Sequence, residues 1–138
     1  MGRREIREEV FKLVFRVEFN SKEEMEEQVA LFFTDMDADE EPKQISEKDE
    51  AYIKNKFDKL MELKESIDKE IEEKAKGWTI GRMGKVELAI IRLAVYEIRY
   101  DDDIPTSVAI NEAVELAKKF GQDDSPSFVN GVLAKFAK

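Results

Sequence analysis

The sequence contains no cysteine and no histidine. The first absence excludes disulfides and a thiol nucleophile, and the second removes the commonest general base. Together they remove every usual zinc arrangement. Proline occurs three times and glycine six times in 138 residues, so breaks in regular structure are few and their positions are informative. No apolar run approaches the roughly 18–20 residues needed to cross a bilayer. The start Met1-Gly2-Arg3-Arg4-Glu5 lacks the apolar stretch of a signal peptide, and Ile6 stands where a myristoylation start needs Ser or Thr. The expectation is one soluble cytoplasmic domain over residues 1–138, with no membrane partner.

What the chain has in abundance is charge. Charged residues make up 40% of it and hydrophobic ones 42%, a balance suited to amphipathic helices around a packed core. The net charge is −9, which taken alone argues against nucleic acid. The charge is unevenly placed, however. Residues 35–50 are strongly acidic, whereas the first 16 residues carry Arg3, Arg4, Arg7, Lys12 and Arg16 against Glu5, Glu8 and Glu9. A local basic end on an acidic protein binds RNA weakly alone and better with a basic partner.

Helical spacing recurs throughout, and no strand-type alternation is sustained. The first helix is predicted from about Arg3 to Phe19, with Ile6, Val10, Leu13, Val14 and Val17 on one face. Ser21 and Glu24 form a capping box for a second helix that buries Met25, Val29, Phe32, Phe33 and Met36. Pro42 lies in the acidic linker. Ser46 and Asp49 mark the next start, and apolar residues then recur at three and four from Glu47 to Lys74, with a candidate kink at Lys64-Glu65-Ser66. Gly77 to Gly84 reads as a loop. Lys85 to Tyr100 is the most apolar helix and the expected centre of the fold. Pro105 suits the first turn of the next helix, which stops at Gly121. Ser125-Pro126 reads as an N-cap followed by Pro at the first helical position, with Val129, Val132, Leu133 and Phe136 at core spacing. Six or seven helices with short connections make an all-α bundle.

Several motif fragments fail on position. Asp35-Met36-Asp37-Ala38-Asp39 imitates the start of a calcium loop, but Glu40 stands where Gly makes the turn and Ser46 where a bidentate Glu is needed. Gly84-Lys85 lacks the first Gly of a phosphate loop and is followed by Val86 rather than Ser or Thr. Gly81-Arg82-Met83-Gly84 has the spacing of a KH loop without the strands of that fold. No catalytic residue, cofactor or metal ligand is expected.

Three signals remain. Arg3, Arg4 and Arg7 fall within about 100° of one another on a helical wheel, and Arg4, Phe11 and Phe15 share one azimuth. Guanidinium groups fork onto phosphates and rings stack on bases, so this end suits RNA. On composition alone, a solvated charged end with two extra core aromatics is the simpler reading. Phe128, beside Asp123 and Asp124, is either an exposed binding ring or a boundary core residue. Glu97 tends toward the buried face, where amide N–H groups at the start of the helix near Pro105 are natural partners.

Asp103-Ile104-Pro105, the run from Val108 to Lys118, Phe120-Gly121, Asp124-Ser125 and Phe128 to Leu133 resemble the NusB family. Trp78, Arg82, Val86-Glu87, the run from Ile91 to Glu97 and the arginine-led first helix fit the same pattern. The resemblance covers nearly the whole chain and is loose only from about Asn20 to Lys76. It implies two packed three-helix bundles with an extra helix. It also implies a non-enzymatic transcription antitermination factor that binds boxA RNA with the ribosomal protein NusE and joins the RNA polymerase antitermination complex, chiefly in ribosomal RNA transcription. By the same resemblance RNA contacts fall on Arg3, Arg4, Arg7, Asp124 and Phe128, and partner contacts on Phe15 and Glu87. The chain departs from the family at Phe15, where Tyr is usual, and at Ala134, where Asp is usual. A homodimer stays open. Two other readings are a helical protein–protein interaction module, and the NusB-like domain of a ribosomal RNA methyltransferase. In the second reading the chain would be a fragment, because the Rossmann-type domain such an enzyme needs is missing.

Overall fold

A computed structural model describes residues 2–38 and 45–137, with side chains excepted at 35–38. The calcium-like run through Asp39, the side chain of Met36 and Pro42 of the linker lie outside the described residues. Seven α-helices are present among those described: α1 (Arg3–Arg16), α2 (Lys22–Ala38), α3 (Glu47–Glu62), α4 (Lys64–Lys74), α5 (Lys85–Tyr100), α6 (Thr106–Phe120) and α7 (Ser125–Ala134). Short 3-10 turns cover Val17–Phe19 and Ile80–Arg82. The all-α expectation holds, and none of the helices is long and apolar enough to cross a membrane. The chain divides into two compact units, Met1–Lys59 and Leu60–Lys138.

In the first unit α1 contacts α2. Val10, Phe11, Leu13 and Val14 of α1, Met25, Phe32 and Phe33 of α2, and Ile53 and Phe57 of α3 are its buried apolar residues. Arg16 ties the first two helices together. Its Nη1 donates to the Gln28 carbonyl oxygen at 3.3 Å, and its guanidinium lies 5.1 Å from the centre of the Phe32 ring.

The predicted capping box is formed. The Glu24 N–H donates to Ser21 Oγ at 3.2 Å, and the Ser21 N–H donates to Glu24 Oε1 at 3.1 Å. Hydrogen bonding to the carboxyl, from the Ser21 hydroxyl first and the Ser21 backbone N–H second, holds Glu24 below its ordinary range. A lowered carboxylate pKa stabilises the fold above the unfolded-state value, and the gain disappears as pH falls through the folded one. Replacing Ser21 with Ala should lower stability by about 1 kcal/mol at neutral pH, the usual cost of losing an N-cap. The difference between variant and parent should shrink in acid, as read by urea melts at several pH values. A difference that grows on acidification would contradict the box.

The second unit is organised by α5, which contacts α4, α6 and α7. Every residue from Leu88 to Glu97 is buried. The helical stretch predicted from Glu47 to Lys74 is interrupted at Leu63, whose φ of −100° and ψ of 1° take it out of the helix. The break sits one residue before the candidate kink. Arg92 of α5 is 2% exposed and forks onto Asp68 of α4, with Nε at 2.7 Å from Oδ1 and Nη2 at 2.9 Å from Oδ2. One turn and more along, Arg99 Nε meets Glu70 Oε1 at 2.7 Å. Glu97 is 1% exposed, and no buried side-chain nitrogen or oxygen among the described residues lacks a hydrogen-bond partner.

Candidate nucleic-acid interface

The residues expected to act fall into two groups, one in each unit. Arg3 and Arg4 open α1 and are exposed. Arg7 is different: it is only 8% exposed and shares a face with Phe11 and Val14, both buried. Two cations on the first helical turn sit at the positive end of the helix dipole, an unfavourable place that an anion would relieve. Phe11 and Phe15 of α1 and Phe19 of the following 3-10 turn succeed one another at intervals of four. Ring centres are 6.2 Å apart between Phe11 and Phe15, and 5.1 Å between Phe15 and Phe19. Burial falls along this ladder, from Phe11 at 3% exposure through half-buried Phe15 to Phe19 at 58%. Phe11 is thus a core aromatic, and the outer rings offer surface.

In the second unit Glu87, Asp124 and Phe128 converge around the α6–α7 turn. Ser125 Oγ donates to Glu87 Oε1 at 2.5 Å and accepts the Gln122 N–H at 2.9 Å. The N-cap position predicted for Ser125 belongs to Asp124, and Ser125 turns inward with 1% exposure. The reason is tertiary. A hydroxyl with both a carboxylate acceptor and an amide donor at hand is better satisfied inside than at the cap. Asp124 is exposed, and its carbonyl accepts the Phe128 N–H at 3.1 Å and the Ser127 hydroxyl at 3.1 Å. Phe128 is half-buried and packs edge-to-face on Trp78, with ring centres 5.2 Å apart and planes at 69°. Phe128 is therefore a boundary residue with a ring neighbour. Neither Ser125 nor the Trp78 pairing was legible from spacing, since each joins segments far apart in the chain.

Gly121 is what allows this turn. A Cβ built there would lie 2.5 Å from Ser125 Cβ and 2.8 Å from the Ala117 carbonyl oxygen. The backbone oxygen cannot move without opening the end of α6. Gly121→Ala should destabilise by about 1–3 kcal/mol in chemical denaturation. Gly84→Ala should cost less, because a Cβ there meets the Glu87 side chain and no backbone, so the loss is limited to disturbing the hydrogen bond from Ser125 to Glu87. Equal losses would show that the turn absorbs the added methyl.

No group of three or more metal-ligating side chains occurs among the described residues. The arrangement can present cations, rings and a hydrogen-bonded carboxylate to a macromolecule.

Comparison with known proteins agrees. The model of the NusB family matches residues 4–138. A transcription antitermination protein NusB from Agathobacter rectalis is 53% identical over 99% of this chain and 100% of its own. That from Clostridium novyi is 43% identical over 100% of this chain and 99% of its own. Among solved structures, NusB from T. maritima superposes with a TM-score of 0.84 at 31% identity, covering 99% of this chain and 91% of that one. A chain in a crystal structure of a plectonemic RNA supercoil superposes with a TM-score of 0.77 at 26% identity, covering 97% and 92%. The chain therefore belongs to the NusB family and is a transcription antitermination factor rather than an enzyme.

Proposed function

We propose that the chain, acting as one cytoplasmic RNA-binding domain over residues 1–138, binds boxA-type RNA together with the ribosomal protein NusE. The complex joins RNA polymerase to carry it past terminators, chiefly in ribosomal RNA operons. Family membership supports this reading, as does the similarity to a chain from a structure that holds RNA. The observation that carries the RNA contact is the placement of Arg3 and Arg4, exposed at the positive end of α1 in a chain of net charge −9.

The arginines position the phosphate backbone while rings and partner supply base contacts. Arg3 and Arg4 lead, and the buried Arg7 holds the helix face and assists from behind. Phe15 and Glu87 serve the protein partner, and Asp124 and Phe128 flank the RNA. The overall negative charge keeps affinity of the chain alone modest and makes a basic partner necessary.

A salt titration of binding to boxA-type RNA and to a scrambled control, with and without NusE, tests the reading. Tighter and sequence-selective binding with NusE is expected. Arg3→Ala with Arg4→Ala should flatten the salt dependence by about 0.7 in slope for each lost phosphate contact. Equal binding with and without NusE, or no effect of the arginines, would overturn the reading. Retained NusE binding with no RNA affinity at all would leave a protein–protein module.

A further inference from the structure

The stretch from Lys74 to Lys85 reverses the charge of the chain around it. It holds Lys74, Lys76, Arg82 and Lys85 and no carboxylate, although the net charge of the whole is −9. Lys76, Arg82 and Lys85 are exposed, while Lys74 lies with Nζ 5.8 Å from the centre of the Phe136 ring. Within this stretch stands Trp78, the one tryptophan of the sequence, and it is 46% exposed. A tryptophan returns more from burial than almost any side chain, so an exposed one in a well-built turn calls for a use.

The turn is well built. Gly77 has φ 88°, a left-handed conformation that residues with a Cβ rarely adopt. The Trp78 N–H donates to the Ala75 carbonyl at 3.0 Å, and the Arg82 N–H donates to the Thr79 carbonyl at 3.0 Å. The Ile80 N–H donates to Glu72 Oε1 at 3.1 Å, which engages the nearest preceding carboxylate but one. The ring itself is braced by Phe128. An edge-to-face pair covers only one face of one ring, so stacking surface remains.

We propose that Trp78, braced by Phe128 and flanked by Lys76, Arg82 and Lys85, is a stacking platform for an unpaired base of single-stranded RNA, separate from the arginines of α1. The proposal rests on the RNA-binding reading above and extends the contact placed there at Asp124 and Phe128 to a new residue, Trp78. The cations take the phosphates on either side, and the indole takes the base by a contact that every base can make. Asp123 and Asp124 are exposed near Phe128 and oppose the phosphates, but they stand against three exposed cations. Glu87 is already engaged by Ser125.

Because Trp78 is the sole tryptophan, its fluorescence reports on the platform directly. The full chain is titrated at low salt with a boxA-type single-stranded RNA carrying an anisotropy label, and with the same sequence as a duplex. Indole emission should be quenched in step with binding of the single strand and much less by the duplex. Trp78→Ala should weaken single-strand binding about tenfold, whereas Trp78→Phe should keep most of it. Both variants alter one exposed position, and unchanged melting temperatures verify that the fold is intact. Binding with unchanged emission, and equal affinity of Trp78→Ala and parent, would overturn the platform and leave the RNA-binding reading standing. Quenching by NusE instead of RNA would assign the ring to the protein partner and likewise overturn it. No anisotropy change for any RNA would remove the underlying reading and the platform with it.

Discussion

Replacing Asp68 with Ala should destabilise the protein by about 3–5 kcal/mol, the loss typical of breaking a buried ion pair by removing one member. The Arg92 side chain is 3% exposed, and Asp68 meets it with two bonds of 2.7 Å and 2.9 Å. A guanidinium cannot escape by losing its proton, so without Asp68 it must stay charged in the interior or drag α5 toward water. Removing the other member should be milder. Asp68 is 19% exposed and keeps Lys64 Nζ at 3.4 Å, so Arg92→Met leaves a carboxylate with both water and a cation. The double replacement Asp68→Leu with Arg92→Met should recover most of the loss, because apolar substitutes of similar size often match a buried pair. Urea denaturation of the three variants provides the check. If Arg92→Met were the most damaging of them, the pair would be acting through the packing of the arginine stem and not through its charge.

Ile90→Ala should cost about 2–5 kcal/mol, the range for truncating a fully buried aliphatic side chain. Ile90 is 0% exposed at the middle of α5, the helix that touches every other helix of its unit. Its neighbours on α5 are also buried, so the cavity cannot be closed by a nearby surface chain folding in. The control is Val108→Ala, on a residue 41% exposed, which should change stability by no more than about 0.5 kcal/mol. The denaturant midpoint should fall for Ile90→Ala with an unchanged slope. A loss below 1 kcal/mol would mean that α5 shifts to refill the space.

The central helix was legible because its apolar residues occur on nearly every face, which only full burial explains. Ser21 and Glu24 were legible because a capping box is local, closed within four residues. The break at Leu63 was legible only in part, as a candidate kink one residue further on at Lys64-Glu65-Ser66. Leu60, Leu63, Ile67 and Ile71 keep a helical rhythm straight across it, and neither proline nor glycine marks it. Ser125 failed for the opposite reason. Its local context, with Pro126 following, favours a cap, and its partner Glu87 is 38 residues away. The three arginines all lie on α1, but only Arg3 and Arg4 are exposed. The signal that separates Arg7 was present: it precedes Phe11 by four and Val14 by seven, the spacing of a buried face. The pairing of Trp78 with Phe128 had no signal in spacing, since Trp78 lies in the turn before α5 and Phe128 in α7, far along the chain.

The helices of each unit contact mainly those next to them in the chain: α1 with α2, α4 with α5, α5 with α6, and α6 with α7. Pairings of this kind close small loops, and among the more extensive contacts of the described residues that of α5 with α7 reaches over an intervening helix. Chains with such local contacts reach the native state in microseconds to milliseconds. Synthesis adds residues at only about 5–20 per second, so each hairpin of helices has time to form before the next is made. The first unit, with its arginine-led helix, can therefore be ordered while the second is still being translated.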